Sequence, residues 1–264
     1  MPLGKHVPDP AGRVPVQASQ SESREMKFAP EPIDCSDCSV GPHSVYGVAL
    51  TANPQVMSAC RLAVKRFEPR HVLVPAGKLL ETAMTLREGW ACRFKLLPDG
   101  RRHILSFLIP GDAVLLENLL APRFVPPYAV KALTPVSVCL FELGDYCRIS
   151  TSSPEQRARL DSYTQQWGTH VSRRQVDLGR RSATGRVAQL LLELESRLAE
   201  RQLVDEDGFP FPLGQREISD ATGVTTAHVN RVLSQLREAG VIETGRKRLG
   251  IRDRARLREL GEGD

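Results

Sequence analysis

No stretch of this 264-residue chain approaches the ~20 consecutive apolar residues of a membrane-spanning helix, and its first 32 residues lack the apolar run of a secretory leader. Neither a membrane protein nor an exported one is expected, and the expected setting is the reducing cytoplasm. The six cysteines are spread too thinly for a disulfide framework, and the six histidines are dispersed with no metal-ligand spacing among them. Paired carboxylates, nucleophile–base sets and clustered histidines at catalytic spacing are all missing, so an enzyme is not expected. A net charge of only +5 excludes a uniformly basic protein, while a pI near 9.0 directs attention to local basic patches.

The chain is long enough for about two domains with real cores. Residues 1–32 hold few large apolar residues and no period, which predicts a flexible tail. Residues 33–44 contain a Cys-x-x-Cys, and 45–153 consist of short apolar runs broken by Gly and Pro: VLVPAG at 72–77, MTLREGWACRFKLLPDG at 84–100, RRHILSFLIPGD at 101–112 and AVKALTPVSVCLFEL at 129–143. Turn signals every ten or so residues predict an antiparallel β-roll. Leu97-Pro98-Asp99-Gly100 supplies one hairpin turn.

The pattern changes at Pro154. Leu160, Tyr163, Trp167 and Val171 recur at helical spacing, predicting a helix over 154–178 whose narrow apolar stripe would pair with another helix. A second periodic segment, TGRVAQLLLELESRLAER, opens a module expected over 179–256, with 257–264 as a second tail. Strands followed by helices make the expected class α+β: a β-roll, a long dimerisation helix and a carboxy-terminal winged helix-turn-helix.

The winged module is the most specific feature. A helix beginning near Gln215 reaches Gly223, which can take the positive φ of a tight interhelical turn, and Thr225 or Thr226 can cap the next helix. Val229, Val232, Leu233 and Leu236 give that helix an inner face. Thr225, Thr226, Ala227, His228, Asn230, Arg231 and Gln235 are left for base edges and phosphates of a major groove. Two short strands around Arg246, Lys247 and Arg248 predict a wing that touches phosphate. Between 237 and 258 eight cations face three carboxylates, so the basicity is concentrated at this end and predicts salt-dependent binding to double-stranded DNA.

With Ile218-Ser219-Asp220-Ala221-Thr222-Gly223, Thr226-Ala227-His228-Val229-Asn230-Arg231 and Ile109-Pro110-Gly111-Asp112, the chain resembles the Crp/Fnr family of bacterial transcription regulators over about residues 45–253. The resemblance implies a homodimer reading a pseudo-palindrome with half-sites ~34 Å apart, and contact with RNA polymerase. It also implies that Arg231 touches base or phosphate and that the positions just before it set operator preference. Ala227 stands where two well-known family readers carry Glu, which points to His228 and Asn230 instead.

Cyclic-nucleotide-binding members pair a Gly-Glu with an Arg followed by Ser or Thr. Here Glu117 lacks the Gly and Arg123 lacks the hydroxyl partner, so a cyclic nucleotide is not expected. In the oxygen-sensing Fnr branch, cysteines before the roll and one distant cysteine hold an iron–sulfur cluster. Cys35, Cys38 and Cys139 match three of those ligands, and His43 is adjacent to the place of the missing one. Taken by themselves, the residues leave three readings open: a cluster, a Cys35–Cys38 redox dithiol, or thiols that only pack.

Overall fold

The computed structural model describes residues 35–121 and 123–262, so the tail expected at 1–32 lies outside the described residues. Two 3-10 turns, Cys35–Asp37 and Gly41–His43, lead into helices α1 (Gly47–Ala52) and α2 (Pro54–Cys60). The text from Val45 had suggested strand; the structure instead starts the roll at Arg61. Asn53-Pro54 explains the difference, since Asn53 Oδ1 accepts the Val56 N–H at 3.2 Å and proline presets the first turn of α2.

The roll comprises β1 (Arg61–Phe67), β2 (Val72–Val74), β3 (Thr82–Glu88), β4 (Ala91–Leu96), β5 (Arg102–Leu108), a short helix α3 (Glu117–Leu120), β6 (Ala129–Ala132) and β7 (Val136–Glu142). Its two antiparallel sheets have strand orders β1-β7-β3 and β2-β6-β4-β5. Alternation sorts the side chains of β4. Ala91 joins Leu108, Val130 and Ala132 inside the roll, while Cys92 and Phe94 face outward. That outward face is buried as well, because Trp90, Cys92, Phe94, Ile104 and Phe107 form one core with the carboxy-terminal helices.

After α4 (Leu143–Ser150), the long helix α5 runs Pro154–Arg180, started by Ser153 Oγ accepting the Gln156 N–H at 3.1 Å. It passes through Gly179, where the Arg181–Asp177 pair at 2.6 Å holds the last turn. Leu160, Tyr163 and Trp167, read from the sequence as part of an intermolecular seam, pack within their own chain. Two polar groups of the roll explain why: Tyr163 Oη donates to Asp112 Oδ1 at 3.0 Å, and the Trp167 ring lies 4.3 Å beneath the Arg93 guanidinium. Val171 is exposed, as is Val176.

The carboxy-terminal unit consists of α6 (Ala183–Ala199), β8 (Phe209–Pro210), α7 (Gln215–Thr222), α8 (Thr226–Glu238), β9 (Ile242–Gly245), β10 (Arg248–Ile251) and α9 (Arg254–Glu262). The last element corrects the expected tail at 257–264. Leu257 is fully buried and α9 packs along α6, anchored by Arg254–Glu195 at 2.7 Å.

A buried polar node ties this unit to the roll. Asp112, in the turn after β5, accepts from Arg197 Nη2 at 2.6 Å and Arg201 Nη2 at 2.7 Å, both on or just past α6, and from the Ile109 N–H at 2.9 Å. Burial alone would raise the Asp112 carboxyl, but these two guanidiniums, with the Ile109 N–H and the Tyr163 hydroxyl, outweigh it and hold the carboxyl below the ordinary carboxylate range.

Candidate nucleic-acid interface

The helix-turn-helix is built locally. Glu217 Oε2 accepts the Gly214 N–H at 3.1 Å to start α7, and Gly223 ends it at φ +67°, its N–H returning to Ser219 O at 2.9 Å. Two arginines complete the carbonyl end of α7: Arg174 of α5 donates to Ala221 O at 2.8 Å, and Arg186 of α6 to Thr222 O at 3.4 Å. Thr225 Oγ1 then caps α8 by accepting the His228 N–H at 3.4 Å. A Cβ at position 223 would meet only Arg186 Nη1 at 3.7 Å and Leu178 Cδ2 at 3.9 Å, which is ordinary contact. Gly223→Ala should therefore cost the backbone penalty alone, about 1–2 kcal/mol. Urea unfolding checks this, and an unchanged midpoint would contradict the left-handed turn.

Val229, Val232 and Leu236 are buried beneath α8, with Leu233 packed against the same core. Thr225, Thr226, Ala227, Asn230, Arg231 and Gln235 are exposed on its outer side, and His228 is half-buried at the edge. The wing is the β9–β10 hairpin, with Gly245 paired to Arg248 around the two-residue tip Arg246-Lys247. The structure separates the cations that the sequence had grouped together. Arg248, predicted to meet DNA, is tied to Asp205 and to Gly208 O, so it anchors the wing strand. Arg252, Arg254 and Arg256 are paired with Glu243, Glu195 and Glu259 respectively. Arg231, Arg246 and Lys247 are exposed without an ion pair among the described residues.

Among the described residues, the roll's interior has no nucleotide-type Arg–Glu pair. Arg123 is exposed, and Glu117 Oε1 accepts the Tyr128 hydroxyl at 2.7 Å. The interior cation is Arg93, which donates to Ala113 O at 3.1 Å and Val114 O at 3.2 Å. Sequence reasoning missed it; a charge among the apolar residues of β4 was the available signal.

The three thiols singled out from the sequence do converge. Cys35, Cys38 and Cys139 line one largely apolar cavity of about 30 Å³, with Arg61 Nη1 3.5 Å from Cys35 Sγ. Burial, reinforced by the neighbouring Cys38, pushes the Cys139 thiol up to about 11. The residues do not fit a four-ligand iron–sulfur cluster. Ser44 lines the cavity and His43 does not, and among the described residues no group of three or more His, Cys, Asp or Glu side chains could hold a metal ion.

Fold and site together define a winged-helix, DNA-binding transcription regulator with a roll of the cyclic-nucleotide-binding type. The profile of the Crp-like helix-turn-helix domain matches residues 185–260, and that of the cyclic nucleotide-binding domain matches 64–149. The transcriptional activatory protein AadR of Rhodopseudomonas palustris is 30% identical over 177 residues, covering 67% of this chain and 72% of that protein. The nitrogen fixation regulation protein FixK of Bradyrhizobium diazoefficiens is 28% identical over 226 residues, 86% of this chain and 93% of that one. The solved structure of FixK2 from Bradyrhizobium japonicum superposes with a TM-score of 0.64 at 26% identity, covering 76% of this chain and 98% of that one. The chain belongs to the Crp/Fnr family of transcription regulators.

Proposed function

We propose that this regulator works as a cytoplasmic homodimer, contacts RNA polymerase at its promoters, and takes its signal from the oxidation state of Cys35 and Cys38. The observation carrying the redox reading is the convergence of Cys35, Cys38 and the distant Cys139 on one cavity. A peroxide is the fitting oxidant class. One thiolate attacks a peroxide oxygen and becomes a sulfenic acid as water or alcohol leaves; the other then attacks that sulfur, forming the disulfide and releasing water. Cys139, protonated at neutral pH, contributes packing.

The connection to output runs through named contacts. Arg159 of α5 donates to His43 O at 3.1 Å and Ser44 O at 3.3 Å, and Gln156 bridges Val45 O and the Ala49 N–H at 2.7 and 2.9 Å. A changed conformation in the cysteine segment is thereby felt by α5, which also holds the carbonyl end of α7 through Arg174. The exposed Val171 and Val176 are the apolar residues α5 offers a second subunit.

Reduced full-length protein should retain operator DNA in a salt-dependent manner, and Arg231→Ala should weaken that retention at least roughly tenfold. Peroxide should remove two titratable thiols and shift DNA affinity, with both effects absent in Cys35→Ser. Unchanged affinity on oxidation overturns the thiol switch. So does brown anaerobic protein with stoichiometric iron and sulfide, which would assign these cysteines to a cluster.

A further inference from the structure

Gln215, the first residue of α7, and Asn230, on the outer side of α8, are both exposed and meet side chain to side chain. Gln215 Nε2 donates to Asn230 Oδ1 at 3.0 Å. An asparagine that reads adenine uses both ends of its amide, accepting from N6 and donating to N7. Here Gln215 takes up one lone pair of the accepting end, while the N–H donors of Asn230 remain available to whatever lies in front of α8. Ala227, one turn earlier on the same face, carries only a methyl group and adds no acceptor.

We propose that Asn230 is a specificity residue fixed by Gln215 as a donor, and that it selects a keto base, guanine or thymine, at one position of each half-site. Guanine O6 and thymine O4 accept in the major groove, whereas cytosine N4 presents a donor and adenine sets its N6 donor beside the N7 acceptor. With Gln215 donating, turning the Asn230 amide alone to accept from an amino base would leave the Gln215 N–H facing a donor. In a water-excluded interface an unmatched donor is penalised more than a missing contact. Gln215 acts through Asn230 and is a positioning residue, and the inference rests on α8 being the reading helix.

The test is selection from a randomised double-stranded DNA library by the full-length chain, followed by the same selection with variants. Both positions are exposed, so the variants should keep the wild-type circular dichroism. The wild type should enrich a keto base in one column of each half-site, and Asn230→Ala should flatten that column alone by roughly 5- to 100-fold in preference. Gln215→Glu replaces the donor with an acceptor, turning the Asn230 amide so that its oxygen faces the DNA. The column should then move to cytosine or adenine while the others stay. A column insensitive to Gln215→Glu, or one that is adenine or cytosine in the wild type, overturns the inference while leaving the DNA-reading assignment intact. Failure of the wild type to enrich any sequence overturns both.

Discussion

Asp112→Ala should destabilise the protein by about 3–5 kcal/mol, because removing one partner of a buried ion pair strands the other charge. Here two charges are stranded unequally. Arg197 keeps Glu193 Oε1 at 3.3 Å, whereas Arg201, only 7% exposed, is left with the Arg197 carbonyl. Tyr163→Phe removes only the 3.0 Å hydrogen bond to the same carboxylate, a smaller loss of about 1.5–3 kcal/mol for a bond to a charged group. The node also joins the roll to α6, so Asp112→Ala should separate the unfolding of the two halves. Trp90 fluorescence, reporting the shared core, should change at lower denaturant than the circular dichroism of the helices. Coincident transitions with a loss below about 1 kcal/mol would show that the node contributes little.

The same carboxylate gives a pH dependence with a definite sign. The folded-state pKa of Asp112 is depressed, so its contribution is fully present above the unfolded value near 3.9. It is lost as pH falls through the lower, folded value. Wild-type stability should therefore decline on acidification in a range where Asp112→Asn, which carries no titrating group there, is flatter.

What was legible in the sequence follows from the range of the interactions involved. The helix-turn-helix was readable because Gly223, Thr225 and the inner residues of α8 act over three or four positions, and each signal agrees with the next. The wing, with a two-residue loop between short strands, was readable for the same reason. The Asp112 node was not, since its partners lie 85 and 89 residues away. Its trace in the sequence is that Arg197 and Arg201 each fall three residues after an inner leucine, Leu194 and Leu198, so they flank the apolar stripe of α6. An arginine in that place needs a buried acceptor. The packing of Leu160, Tyr163 and Trp167 against their own chain was not legible for a related reason: periodicity reveals that a helix has an apolar face but not which surface covers it. The ion pair of Arg248 was not legible either, since its partner Asp205 is distant in sequence.

The wing tip supports an expectation in which stability and function move in opposite directions. Arg246 and Lys247 occupy φ +37° and +63°, the left-handed region that a two-residue hairpin loop requires and that Asn-Gly fills with least strain. Side chains there cost roughly 1–2 kcal/mol per residue relative to glycine. Replacing the pair by Asn-Gly should therefore raise the unfolding free energy by about 1–2 kcal/mol in total, the Asn keeping part of the cost. If the strained cations face phosphate, the replacement loses two contacts per protomer, and the slope of log K against log salt should shrink by ~1.8 per protomer. Near 0.15 M salt that corresponds to roughly 30-fold weaker binding per wing. Arg256→Gln is the control, because Arg256 is paired with Glu259 at 2.8 Å on α9 and should leave the slope unchanged. Equal changes in the two variants would mean only that net charge matters. A reduced slope confined to the wing variant, together with higher stability, would explain why two cations occupy a turn that favours uncharged residues: the strain keeps charge at the one place on the hairpin that reaches the DNA backbone.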